Sequence, residues 1–471
     1  MTTSFEPSKL DPKDWDAFRA KAHDLLDRCM SQMETARDHP WQAPPEDAEE
    51  RYAIGGQGDL IERITRDVLP FHGGNTHPRF WGWVQGTGLA SDFLANMVAA
   101  ALNTNGGGRN HGANEMERAV IDWTRRKMGF PEGTSGVLTA GTSQATVIAL
   151  QCARVQAQDT LRAEGTILGF TCYAAEGVHN ATRKAVELLG MGHKSLRLIP
   201  APDGRMDTAA LLARIRKDRA NGHRPLAIIG TAGSVDLGGF DDLNALADIA
   251  AGENLWLHVD GAFGAWTRLA DQPWRALSDG IDRADSIALD FHKWMSVGYD
   301  CGLALIRDEA THRAAFAARP AYLQGADHGL AGGDPWFCDY GIDLSRGNRA
   351  IKVWCALEMF GEAAFAAAIT RNCQQAALMG REATARGMAV LAPVTSNICV
   401  FTADPGRAPV DQSLLNARIA QALQLSGEAV FSTTDVNGVT CLRAAIVNHR
   451  TTEDDILAAL DAVIQAKGSV G

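Results

Sequence analysis

Between about residue 115 and residue 306 the chain alternates extended and helical patterns, and this alternation restricts the fold more than any other feature. Short apolar runs in SGVLTAG, TILGFT, LRLIP, PLAIIGTAG, LWLHVDG and SIALD are separated by helical stretches. EMERAVIDWTRRKMGF, TSQATVIALQCARVQA, EGVHNATRKAVELLG, MDTAALLARIRKDRANG and DDLNALADIAAGEN are those stretches. Strands joined through helices form βαβ units, so the expected fold is α/β with a mostly parallel central sheet. In such sheets functional groups collect at the C-terminal ends of the strands.

The flanks differ. PKDWDAFRAKAHDLLDRCMSQMETA puts Trp15, Phe18, Ala22, Leu25, Leu26 and Cys29 at helical spacing. The Pro-rich DHPWQAPPED follows, so this segment reads as an N-terminal arm. GGNTHPRFWGWVQGTG is aromatic and glycine-rich and suits a loop over a pocket. Beyond Arg346 a long helical stretch leads to MAVLAP, NICVFTA, a helix near Leu414 to Leu423, and GVTCLRAAIV. A last helix starts after Thr452 with acids in its first turn, as the helix dipole favours. These make a smaller C-terminal α/β domain.

Composition excludes several partners. The 471 residues carry a formal charge of −11, and an acidic chain repels nucleic-acid backbones. No run of 18 apolar residues is present, so no membrane span is expected. The N-terminus lacks the basic start and apolar centre of a signal peptide. Nine cysteines stand singly without a C-x-x-C pair, which predicts reduced thiols in a cytoplasmic protein and no zinc or other metal site.

Three strand ends carry unusual polar residues. In TAGTSQATVIAL, Gly141, Thr142 and Ser143 fall where a strand turns into a helix. Unpaired N–H groups and the helix dipole suit an anion there, although taken alone the turn reads as an ordinary N-cap. In LWLHVDGAFGAW, Asp260 ends an apolar strand, with His258 two residues before it on the same face. A carboxylate at a buried strand end needs a partner. It caps a loop, or binds a metal (no further ligands have suitable spacing), or holds a protonated ring nitrogen, for which Gly261, Ala262 and Gly264 leave room. In DSIALDFHKWMSVGYDCGLALI, Lys293 stands between two apolar runs. A snorkelling surface lysine fits poorly between strands that read as buried and beside Trp294. A lysine in a desolvated pocket can instead attack a carbonyl to form a Schiff base. Schiff-base lysine, ring-nitrogen carboxylate and phosphate cradle together match one cofactor, pyridoxal phosphate.

HVDGAFGAW, followed about thirty residues later by DFHKW, resembles the group II pyridoxal-phosphate decarboxylases. This is the aromatic-L-amino-acid decarboxylase family, of the aspartate-aminotransferase fold type (fold type I). The resemblance runs from HPRFWGW to VNHRTTEDDI, and DFHKW is its most specific piece. It implies a homodimer with three parts: an N-terminal helical arm and dimerisation segment (1–84), a large cofactor-binding α/β domain (85–360) and a small C-terminal α/β domain (361–471). Lys293 matches the Schiff-base lysine, Asp260 the partner of the pyridine nitrogen, Ala262 a residue packed on the ring, and His179 the histidine stacked on its other face. Thr142 and Ser143 resemble phosphate-loop residues, with Asp290 and His292 close by, and Ser345 matches a position that reaches the phosphate across the dimer interface. Tyr322 lies in RPAYLQGADHGLAGGDPWF, whose composition suits a mobile loop. By resemblance it delivers the proton to the α-carbon after CO2 is lost. The implied catalytic set is Lys293, Asp260, His179 and Tyr322. Relatives that make aldehydes oxidatively carry Phe at the tyrosine's place or lose the histidine, and this chain keeps both.

The pocket departs from the animal aromatic enzymes. ALNTNGGGRNHGANEMER offers Asn103, Asn105, three glycines, Arg109 and His111 where those enzymes have aromatic and aliphatic groups. FWGWVQG keeps Trp81 and Trp83 and adds Gln85. Trp81, Trp83, Asn105 and His111 are therefore the candidate substrate-pocket residues, with bonding to loop backbone as the alternative for the polar ones; the 101–111 loop, like the Ser345 region, is expected to complete the partner's site. The expected activity is decarboxylation of an aromatic L-amino acid (tryptophan, tyrosine, phenylalanine or dihydroxyphenylalanine) to the amine and CO2. Aldehyde synthesis or transamination on the same cofactor is one rival, and a cofactor-binding protein without turnover is another.

Overall fold

The helix-separated apolar runs pair into one sheet in the computed structural model, which describes residues 10–55, 58–165, 169–202, 204–318, 326 and 328–470. Its strands are β1 (Ser135–Thr139), β2 (Phe170–Ala175), β3 (Leu196–Ile199), β4 (Arg224–Thr231), β5 (Trp256–Asp260), β6 (Ser286–Asp290) and β7 (Gly302–Ile306). The order is β1-β7-β6-β5-β4-β2-β3. All pairs are parallel except those of β7, which runs antiparallel to both neighbours. Every residue of β1, β2, β5, β6 and β7 is buried, as expected of a sheet covered by helices on both faces. Strand β2 runs on to Ala175, past the TILGFT run, because Cys172, Tyr173 and Ala174 all enter the core.

Register puts the polar strand ends side by side. Thr139 pairs with Gly302, which also pairs with Asp290, while Thr231 pairs with Asp260. The ends of β1, β4, β5 and β6 thus lie along one edge of the sheet. The connection from β6 to the antiparallel β7, which carries Lys293, starts there. It is anchored by Trp266, a fully buried ring 5.0 Å from Phe291, whose Nε1–H donates to the Asp290 carbonyl at 2.9 Å. Truncating such a ring to Ala costs roughly 3–5 kcal/mol.

Four antiparallel strands form the second sheet: β8 (Ala389–Val390), β9 (Ile398–Thr402), β10 (Ser432–Val436) and β11 (Val439–Ala445), in order β10-β11-β9-β8. The helix Ala350–Ala385 joins the two parts and breaks at Gly361, where φ is 72°. It is long and apolar enough to cross a membrane by length and composition alone. Its buried residues, from Ala350 and Val353 to Met379 and Ala383, pack into both cores. Phe80 and Trp81 lie in the segment read as an arm, yet they join the C-terminal part. Trp81 N–H donates to the Val430 carbonyl at 2.8 Å, and Ala445 N–H donates to the Trp81 carbonyl at 2.9 Å.

Candidate active site

A cleft of about 310 Å³ opens at the shared strand edge. Asp260 at the end of β5, Ala262, Lys293, His179 and Trp83 line it, with Val84, Gln85, Thr231, Gly233, Ser234, Val235 and Phe263. Five of the residues read from sequence therefore meet in one cleft. The stretch after β4, Gly233 to Val235, was missed, although its place beyond a strand's C-terminal end was the available signal.

Asp260 is buried, and its only side-chain hydrogen bond among the described residues comes from Ala262 N–H at 3.2 Å. Burial pushes its carboxyl above the usual range, with Lys293 opposing. An anion so placed favours a cationic partner inside the cleft. His179 caps the helix Asn180–Leu188, its Nδ1 accepting from Ala181 N–H at 3.2 Å. That cap fixes the ring at the cleft wall and places a helix-surface residue, as the motif alone would read, beside Asp260.

The anion end lies next door. Thr142 begins the helix Thr142–Ala157, and Ser143 is exposed at its first turn. Thr142 N–H donates to Asp290 Oδ1 at 2.7 Å, and its hydroxyl donates to Asp290 Oδ2. Lys293 Nζ lies 3.1 Å from Asp290 Oδ2. His292 Nδ1 accepts from Cys301 N–H at 3.1 Å, and its ring packs at a tilt of 33° against Tyr299 with centroids 4.4 Å apart. Burial pulls the His292 imidazole below its usual range, with Asp290 opposing.

Other candidates fall elsewhere. Trp81 is not a pocket residue: it is 0% exposed, packs on Phe431, and donates Nε1–H to Thr451 Oγ1 at 3.2 Å, because its segment extends the C-terminal sheet. Asn105 Oδ1 accepts from Gly107 N–H at 2.9 Å and from Arg346 N–H at 3.0 Å, while His111 Nε2 lies 3.1 Å from the Asn105 carbonyl. Both serve their own loop and do not line this chain's cleft. Ser345 is exposed on the surface, also away from the cleft. Tyr322 lies outside the described residues. Gln144 bonds Ala140 N–H and Asp343 at 2.9 Å each and so ties the anion turn to the segment before Ser345.

Sequence reasoning also missed Arg443. It is 3% exposed and donates to the Asp236 and Trp83 carbonyls, each at 3.1 Å, and to Ser432 Oγ at 2.9 Å. Its Nη2 has no partner among the described residues, and burial draws the guanidinium down to about 10, so it stays charged near neutral pH.

A buried carboxylate with no ion pair among the described residues, a lysine near it, a histidine wall and an adjoining helix N-terminus fit pyridoxal phosphate: Asp260 would hold its ring nitrogen, Lys293 its aldehyde, and Ser143 and His292 its phosphate. Fold and site together define a pyridoxal-phosphate enzyme of fold type I. A sequence model described as the pyridoxal-dependent decarboxylase conserved domain matches residues 45–401. The chain is 31% identical over 413 residues to an aromatic-L-amino-acid decarboxylase of Bacillus atrophaeus, covering 85% of this chain and 83% of that one. It is 29% identical over 350 residues to an L-2,4-diaminobutyrate decarboxylase of Rhizobium meliloti, covering 74% and 69%. The fold matches Oryza sativa TDC, solved with PLP and tryptamine, at a TM-score of 0.90 and 23% identity, covering 98% and 99%. The chain belongs to the pyridoxal-dependent decarboxylase family and is a carboxy-lyase.

Proposed function

We propose that the enzyme decarboxylates aromatic L-amino acids to amine and CO2, and that it works as a homodimer. One observation carries the substrate class. Among the described residues, apart from Asp260 and Lys293, which the cofactor engages, no acidic or basic side chain other than His179 lines the cleft, whereas Trp83, Phe263, Val84 and Val235 do. A diamino acid would bury a second ammonium there without a counter-ion. An aromatic side chain instead gains ring contacts with Trp83 and Phe263.

The chemistry that pyridoxal phosphate supplies when bound is an electron sink for the pair left on the α-carbon as CO2 departs. Lys293 would hold the cofactor at its aldehyde. Asp260 keeps the ring nitrogen protonated. Arg443, whose Nη2 has no partner among the described residues, receives the substrate carboxylate. Tyr322 returns a proton to the α-carbon. Ser345 on the exposed surface, flanked by exposed Leu344, completes the partner's phosphate site.

The test is CO2 release from the holoenzyme with tryptophan, tyrosine, phenylalanine, dihydroxyphenylalanine, 2,4-diaminobutyrate and glutamate, following amine, aldehyde and peroxide in the same tubes. Aromatic substrates are expected to lead by at least about tenfold, the discrimination expected of an apolar pocket, with amine as product. Preference for diaminobutyrate rejects the substrate class, and equimolar aldehyde and peroxide reject simple decarboxylation.

A further inference from the structure

The anion turn of this site already contains an anion. Asp290 is 1% exposed, and its carboxylate takes both donors of Thr142, the first residue of the helix, while also lying 3.1 Å from Lys293 Nζ and 3.6 Å from His292 Nε2. The strand geometry holds it there. A Cβ at Gly302 would fall 2.6 Å from Asp290 Oδ1 and 2.6 Å from Gly141 Cα, so the carboxylate sits wedged between β7 and the turn. Its backbone is fixed from the other side by Trp266 and by the bond from Asp290 N–H to the Ala262 carbonyl at 3.0 Å.

A helix N-terminus attracts an anion through its free N–H groups and its dipole. Here one of those N–H groups and the adjacent hydroxyl are spent internally. A phosphate entering the turn meets the remaining donors, Ser143 and its neighbours, and a carboxylate of like charge a bond away. Like charges at that separation weaken binding.

We propose that Asp290 is an internal competitor of the cofactor's phosphate, so that the cofactor is held less tightly than its cradle allows and exchanges with the free pool. The holoenzyme fraction then follows cofactor supply. The inference does not depend on which amino acid is decarboxylated, because it concerns the phosphate end alone.

Equilibrium dialysis of the full-length chain against pyridoxal phosphate, pyridoxal and inorganic phosphate tests it. Asp290→Asn keeps an acceptor for Thr142 N–H and removes the charge. It is expected to bind pyridoxal phosphate and inorganic phosphate about tenfold more tightly, the scale of one lost like-charge contact. Its affinity for pyridoxal, which has no phosphate, is expected to stay within about twofold, well under that charge effect. Unchanged or weaker phosphate binding overturns the proposal and makes Asp290 a residue that orders the donors of the turn. Equal tightening of pyridoxal also overturns it, since Asp290 would then act through Lys293. Should Asp290→Asn fail to fold, Asp290→Ser, which also removes the charge and keeps an oxygen acceptor, carries the same expectations.

Discussion

Arg443 shows how much a single residue can hide. In TCLRAAIV it is one polar letter in an apolar run and reads as a strand residue. Only packing shows that its guanidinium is buried, bonded to the carbonyls of Asp236 and of Trp83, which lines the cleft, and left with an Nη2 that has no partner among the described residues. A buried, unmatched donor of this kind costs stability unless something completes it, and in the proposed function the substrate carboxylate is that partner. Arg443→Gln is expected to raise KM for the amino acid by roughly ten- to a hundredfold, the worth of a hydrogen bond to a charged group. Cofactor absorbance should remain, and Arg443→Lys should recover part of the loss. A parallel fall in cofactor content would show a structural role instead. Asp260 and Lys293 are the opposite case. Charged residues at the ends of apolar runs have few structural reasons to be there, so both were legible.

At the scale of elements, the loop that carries Asn105 and His111 is held by a buried ion pair. Arg346 Nη2 lies 2.7 Å from Glu117 Oε1, with the two side chains 1% and 2% exposed. Glu117 Oε1 also accepts from Leu138 N–H at 3.0 Å, and Arg346 Nη1 donates to the Gly106 carbonyl at 3.0 Å. One pair thus joins the helix Gly112–Lys127, strand β1, the 103–111 loop and the segment after Ser345. Removing one partner strands the other charge, so Glu117→Ala should cost roughly 3–5 kcal/mol, read as a lower urea midpoint, and cofactor affinity should fall with it. An unchanged midpoint would show that water replaces the carboxylate there. Strand β10 shows a different limit of the sequence. It is half-exposed and polar, and it was not picked out, although the turn at Asn437 (φ 53°) and Gly438 (φ 79°) forms its hairpin. Asn-Gly between extended runs is a strong hairpin signal, so this strand was readable from the turn even though periodicity concealed it.

At the scale of the molecule, the apolar residues left outside both cores cluster by segment. The helix Trp15–Glu34 has no buried residue in the single chain, and Trp15, Phe18 and Met30 are exposed. Leu94, Met97, Val98 and Leu102 are exposed on the helix Ser91–Leu102, and Ile342, Leu344, Trp354, Met359 and Phe360 are exposed near Ser345. Faces of this kind call for a cover, and the proposed second subunit supplies it. Leu102→Glu is expected to shift the protein from dimer to monomer in sedimentation and to lower cofactor content with it. A wild-type chain that sediments as a monomer with full activity would remove the shared site from the proposal.

What the sequence determined alone is whatever depends on local order. The alternation of apolar runs and helices specified a mostly parallel sheet, and the strand ends singled out Asp260 and Lys293, because both signals are written within a few residues. Tertiary structure decided what depends on residues far apart in the chain. It placed Trp81 in the C-terminal core, spent Asn105 and His111 on their loop, brought Arg443 to the cleft across some 360 positions from Trp83, and set Asp290 on Thr142. Those outcomes follow from which donors, acceptors and volumes happen to meet when the sheets close, and no local pattern encodes them.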